Sequence, residues 1–213
     1  MTIDSVEDAS TIFWDFDGVI KDSVLVKSDA FEKLFITFGE ELAKKVKKHH
    51  EDNGGMSRYE KFPIYLSWAG KQKSDKLILD YEQQISKLVK QSVIESPWVK
   101  GVQEYLEINY EKQEFFLVTA TPQNEIEDIL MKLQISHFFK HIIGSPMSKQ
   151  DGVESLIKDY DIKIDHAIMI GDSMSDYSAA IDNNVNFILR KTSLNKKLQK
   201  QLKCKMIDDF TYG

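Results

Sequence analysis

Short, unbroken apolar runs alternate along this chain with longer stretches in which apolar residues recur every three or four positions. The runs predict strands over residues 11–15, 114–119, 141–144, 166–171 and 185–189, and the helical spacing covers 101–110, 122–133, 152–160 and 175–183. Continuous apolar strands separated by amphipathic helices indicate a parallel sheet covered on both faces, hence an α/β, Rossmann-like core. Residues 24–95 break this alternation. Phe31, Leu34, Phe35, Phe38 and Leu42, and then Leu77, Ile78, Tyr81, Ile85, Leu88 and Val89, keep helical spacing with no strand between them. The expectation is an all-helical insertion over 24–95, joined to a core made of 1–23 and 96–213 through short connections near 21–23 and 96–97. Two connections on one side suit a lid.

Polar residues gather where ligands bind in such sheets, beyond the carboxyl ends of the strands. The first apolar run ends in Asp15 and Asp17, followed by Gly18, which permits a tight turn. Two anions at a strand end repel each other, and a divalent cation would offset that repulsion. One carboxylate could then attack as a nucleophile and the other act as acid or base, although the same tetrapeptide also makes a plain capping turn. IMIGDSMSD repeats the arrangement with Asp172 and Asp176, the latter in a first helical turn where the helix dipole favours an anion in any case. Thr119 ends another strand, and its hydroxyl with the following backbone N–H, that of Ala120, could hold a phosphate oxygen. Lys149 lies past a further strand. Singly these residues mean little. Four loops at one sheet edge supplying Asp, Thr, Lys and Asp are more informative.

In that order the residues resemble the motifs of the haloacid dehalogenase-like superfamily of aspartate-nucleophile phosphotransferases. DFDGVIKDS matches the first motif, Thr119 the second, Lys149 the third and GDSMSD the fourth, and the insertion after the first motif resembles the family's helical cap. The resemblance implies that Asp15 attacks phosphorus and that Asp17 protonates the leaving group and later activates water. It also implies a Mg²⁺ ion held by Asp15, the Asp17 backbone carbonyl and Asp172, supported by Asp176, with Thr119, Ala120 and Lys149 on the phosphoryl group. Two positions depart from the pattern: Ala120 replaces a frequent Asn, and Gln150 a frequent Pro. Neither change removes a required charge, and the acid at position 17 speaks against carbon–halogen cleavage.

The resemblance implies a Mg²⁺-dependent phosphatase acting on a small phosphorylated metabolite, such as a sugar phosphate, a phosphoglycolate-like acid or a nucleotide. A phosphomutase with the same aspartyl-phosphate and a non-catalytic binding scaffold are the alternatives. Within the insertion, HHEDNGGMSRYEKF breaks its helical pattern at Gly54-Gly55, and Arg58, Lys61 and Asn53 are the expected substrate contacts, with a solvated helical corner as the alternative. Composition narrows the partners further. A net charge of −6 argues against a nucleic-acid binder, and a single cysteine excludes an internal disulfide framework. No apolar run approaches the roughly 20 residues of a membrane helix. The polar opening MTIDSVEDAS lacks the regions of a signal peptide, so a soluble, cytoplasmic monomer or homodimer is the expectation.

Overall fold

The computed structural model describes residues 6–72 and 74–211. Six parallel strands form one sheet: β1 (Thr11–Trp14), β2 (Glu114–Pro122), β3 (His141–Ser145), β4 (Ala167–Gly171), β5 (Asn186–Arg190) and β6 (Lys205–Ile207). Their order across the sheet is β3-β2-β1-β4-β5-β6. The chain therefore builds outward from β1 in both directions, and the crevice where the order reverses lies at the carboxyl end of β1, between β2 and β4.

Alternate side chains of each strand feed two separate cores. Ile12, Trp14, Phe115, Leu117, Ile168 and Ile170 pack on one face, while Phe13, Phe116, Val118, Met169 and Leu189 pack on the other. On the first face lie α5 (Val102–Asn109) and α6 (Gln123–Leu133), through Tyr105, Leu106, Ile126, Ile129 and Leu130. On the second lie α7 (Lys149–Asp159) and α8 (Met174–Asp182), through Val153, Leu156, Ala179 and Ala180. Burial on both faces is why the strands read as continuous apolar runs rather than as alternating ones.

Between β1 and α5 the chain forms four helices: α1 (Val24–Phe35), α2 (Glu40–Asp52), α3 (Arg58–Trp68) and α4 (Asp75–Glu95). Phe31, Phe35, Phe62, Tyr65, Ile85 and Val89 interlock among them and extend the first core without a break. The outgoing and returning chains are tied together. Asp22 N–H donates to the Pro97 carbonyl at 2.9 Å, and buried Lys21 donates to the Ile94 carbonyl at 3.0 Å while lying over the Trp98 ring.

The predicted strands and helices recur with ends shifted by up to a few residues. One shift matters for the site: α7 starts at Lys149 rather than at 152, capped by Ser148, whose hydroxyl accepts from Asp151 N–H. Beyond residue 190 the expectation missed α9 (Lys196–Gln201) and β6, a short, half-exposed edge whose polar sequence carries no continuous apolar run.

Candidate active site

Asp15 follows β1 directly, its N–H bonded to the Ile170 carbonyl of β4 at 3.0 Å, and its side chain is buried. Gly18, at φ +78°, turns the chain away at once; a Cβ there would lie 2.2 Å from an Asp172 carboxylate oxygen, so only glycine lets these two loops approach. Lys149, in the first turn of α7, reaches Asp15 Oδ1 at 2.8 Å and Asp176 Oδ1 at 2.5 Å. The second oxygen of Asp176 accepts from the Ser173 N–H at 3.0 Å and from its hydroxyl at 2.6 Å. Asp176 thus caps α8, as one of its sequence readings expects, and also anchors Lys149.

Charge is unbalanced here. Oxygens of Asp15, Asp172 and Asp176 lie within 4.8 Å of one another, and Lys149 is the cation between them. One lysine against three aspartates leaves two negative charges in a buried place. Burial, and then Asp176, pushes the Asp15 carboxyl up to about 7, against the pull of Lys149. Burial, with Asp15 and Asp176, holds Asp172 well above the usual carboxylate range. Lys149 is held protonated by Asp15 and Asp176 despite its burial. A hard divalent cation matches both the missing charge and the all-oxygen donor set. Asp15 and Asp172 are the carboxylates free to hold it, because both Asp176 oxygens are engaged.

Asp17 sits apart from that cluster. Its carboxylate accepts from Ser23 Oγ at 2.5 Å, Lys27 Nζ at 2.5 Å and Thr121 Oγ1 at 3.1 Å. Burial would favour the neutral acid, but Lys27 and these hydrogen bonds bring its pKa below the ordinary value. Lys27 and Thr121 also bond each other at 2.8 Å, so a lysine of α1 joins a strand end of the sheet. Sequence reading passed over both. Thr121 was legible in principle, since it stands two positions after Thr119 on an extended strand and so shares its side. Lys27 was not, because nothing local marks it among neighbouring polar positions. Thr119, expected to end the strand, is buried within it, three residues before Pro122, and its hydroxyl accepts the Thr121 N–H at 3.2 Å.

The helical segment closes over this edge. Gly54 and Gly55 lie between α2 and α3, and a Cβ on Gly55 would lie 1.8 Å from Ser175 Oγ and 2.5 Å from Ser173 Oγ at the start of α8. Beside this contact a cleft of about 1190 Å³ reaches Lys149, Ala120 and Asp172 and shares Val24, Gly54, Met56 and Ala120 with a smaller, inner cavity. That inner cavity, of about 40 Å³, is bordered by Asp17, Lys27, His50, Arg58, Lys61 and Thr121. The expected substrate contacts fall differently. Arg58 borders the inner cavity, yet its guanidinium is taken up by Glu125 of α6, two bonds of 2.8 Å each, and by Ser86 Oγ at 2.7 Å. Asn53 borders the outer cleft and donates to the His49 carbonyl at 2.9 Å. Lys61 is buried in the inner cavity beside His50 Nδ1, at 3.0 Å.

A doubly covered parallel sheet, with aspartates and a lysine converging at its switch point, defines an α/β enzyme with a buried acidic site. Residues 12–190 match the family of haloacid dehalogenase-like hydrolases, and the chain belongs to that family. No curated protein matches the sequence. Solved structures share the fold at low identity. A haloacid dehalogenase-like hydrolase of Streptococcus pneumoniae superposes with a TM-score of 0.67 at 20% identity, covering 94% of this chain and 95% of the other. A protein proposed to be a phosphoglycolate phosphatase of Lactobacillus plantarum gives 0.72 at 16%, with 94% and 95% covered. CbbY of Rhodobacter sphaeroides, solved with phosphate, gives 0.72 at 15%, with 95% of each chain covered. No helix among the described residues is long and apolar enough to cross a membrane.

Proposed function

We propose that the protein is a Mg²⁺-dependent phosphatase of small phosphate monoesters that works through an aspartyl-phosphate on Asp15. The observation that carries this reading is the division of the two aspartates. Asp15 lies in the acidic cluster against Lys149, whereas Asp17, two residues on, is turned away and held ionised by Lys27, Ser23 and Thr121. Phosphoryl transfer asks for positioning and charge neutralisation around a nucleophile, and separately for a group that moves a proton. Mg²⁺ fits the oxygen donors of Asp15 and Asp172, and when bound it would neutralise charge on the nucleophile and on the phosphoryl oxygens. Lys149 draws Asp15 towards its ionised form and faces the transferring group; Thr119 and the Ala120 N–H hold its oxygens. Asp17 relays a proton taken up from solvent to the leaving oxygen and later takes one from the attacking water. Residues 24–95 act as a cap, with Gly55 seated on α8 to exclude solvent.

The names of the similar structures, among them a proposed phosphoglycolate phosphatase and a protein holding phosphate, agree with this class. The test is free-phosphate release by purified protein with Mg²⁺ from an aryl phosphate and a panel of phosphorylated metabolites. Asp15→Asn is expected to keep its fold by circular dichroism and lose all turnover; residual activity at the wild-type level would refute the nucleophile. Interconversion of hexose phosphates without phosphate release would show transfer back to substrate instead of to water.

A further inference from the structure

The carboxylates of Asp15 and Asp172 repel each other in a buried place, yet the turn after Asp15 and the Asp172 loop pack so closely that no Cβ fits at Gly18. Groups other than those two side chains hold the loops together. The donors come from the segment after β5, where no sequence motif falls. Asn195, 7% exposed, donates through Nδ2 to the Asp172 carbonyl at 2.8 Å and to the Arg190 carbonyl at 2.8 Å. Its Oδ1 accepts from the Thr192 N–H at 2.9 Å and from Gln199 Nε2 at 2.7 Å. All four hydrogen-bonding capacities of the amide are used, which fixes its orientation. The first N–H past β5, that of Lys191, is turned to the Ile207 carbonyl of β6 at 2.8 Å, so a side chain takes over where the ladder stops. Arg190 completes the bracket from the other end. Its Nη1 donates to the Gly18 carbonyl at 3.2 Å and to Asp22 Oδ1 at 2.6 Å. Arg190 thus ties the turn after Asp15 through its guanidinium, and the Asp172 loop through its carbonyl and Asn195.

We propose that Asn195 and Arg190 are positioning residues for the cation site, holding the two loops at the spacing at which Asp15 and Asp172 share one divalent ion. The physical reason is preorganisation. An ion that binds between two loose loops must order them as it binds, and that cost comes off its affinity. With the backbone fixed beforehand, the fold already bears the repulsion between the carboxylates, and the entering ion relieves it. Towards the site, the bonds of both residues go to backbone carbonyls, so they act through position and not as ligands. Gln199, on α9, supports them by holding the Asn195 amide, which brings the last helix into the construction of the site. This rests on the Mg²⁺ assignment but not on the phosphatase reaction.

The experiment titrates MgCl₂ into metal-free protein at about pH 8 by calorimetry, with the fold of each variant checked by circular dichroism. Asn195→Asp keeps the size and one oxygen of the side chain but loses both donors; Arg190→Met removes the guanidinium. Each change makes the neighbourhood more negative, so charge alone would tighten Mg²⁺ binding. Loss of position should instead raise its Kd by roughly 10–100-fold, the range for partners that orient metal ligands. The Mg²⁺ concentration for half-maximal phosphate release should rise by the same factor. Residues that merely close the turn after β5 would lower the unfolding midpoint and leave the Kd of the folded protein unchanged. An unchanged or lower Kd in either variant overturns the bracket and leaves the phosphatase standing. Where a variant does not fold, Gln199→Met, which frees one acceptor of the Asn195 amide, should raise the Kd by a smaller factor, and an unchanged value there overturns the bracket equally. Mg²⁺ binding weakened by the variants, in a protein that releases phosphate from nothing, keeps the bracket and overturns the phosphatase. Wild type that takes up no Mg²⁺ overturns the cation site and the bracket with it.

Discussion

Asp15 and Asp17 are chemically alike and two positions apart, yet the fold gives them opposite protonation tendencies. Asp15, buried near Asp172 and Asp176, is pushed up to about 7. Asp17, hydrogen-bonded by Lys27, Ser23 and Thr121, is held below its ordinary value. The raised groups make stability depend on pH. In the unfolded chain Asp15 and Asp172 lose their protons near 3.8, while the metal-free native protein keeps them to higher pH. Native stability therefore falls as pH rises from about 4 towards 7. A cation between these carboxylates removes that cost only where they would otherwise ionise. Mg²⁺ at about 100 times its dissociation constant should add roughly 2.7 kcal/mol at pH 8 and far less at pH 5, read as a shift in thermal midpoint. Equal shifts at both pH values, or a full shift in Asp172→Asn, would contradict the assignment. The carboxylates themselves were legible from DFDG and GDSMSD, but their division was not, because Lys27 and Thr121 reach Asp17 from distant parts of the chain.

At the scale of elements, the bond between α3 and α6 departs most from the sequence reading. Arg58 stood out in a glycine-broken loop as a substrate contact; in the structure it is the first residue of α3 and meets Glu125 in the first turn of α6. Glu125 is held ionised by Arg58, Lys27 and Ser86 against its burial. A second bridge, Lys90 to Asp128 at 2.7 Å, runs parallel to it between α4 and α6 but is half-exposed and contributes little. Removing one partner of the buried pair strands the other charge. Arg58→Ala or Glu125→Ala alone should cost roughly 3–5 kcal/mol in urea unfolding. The double variant should cost clearly less than the sum of the two. Additive losses would show that the two side chains do not act as a pair. The helices were visible from their 3.6-residue spacing, whereas the partner of a charged residue on one of them depends on crossing geometry that no local pattern carries.

For the whole molecule, the decisive contact is Gly55 against Ser173 and Ser175, where the helical segment meets the sheet edge beside the cleft. Gly55→Ala places a methyl group where those hydroxyls stand, so the serine side chains and the loop that carries residue 55 must shift. The expected result is a loss on the order of 10²-fold in kcat/KM for phosphate release, since a displacement of about 1 Å suffices for that. The unfolding free energy should stay near wild type, because both cores lie away from the contact. A variant with unchanged kinetics would mean that closure at Gly55 is not needed for turnover. By itself the sequence determined the parallel sheet, the helical insertion and the aspartates and lysine that gather at the sheet edge. Each of these is written locally, in the period of apolar positions or in residues adjoining a strand end. Only the tertiary structure decided which cations meet an acid. Arg58 and Lys61 are three residues apart on one helix, and what separates them is whether an acid from a remote segment happens to lie opposite.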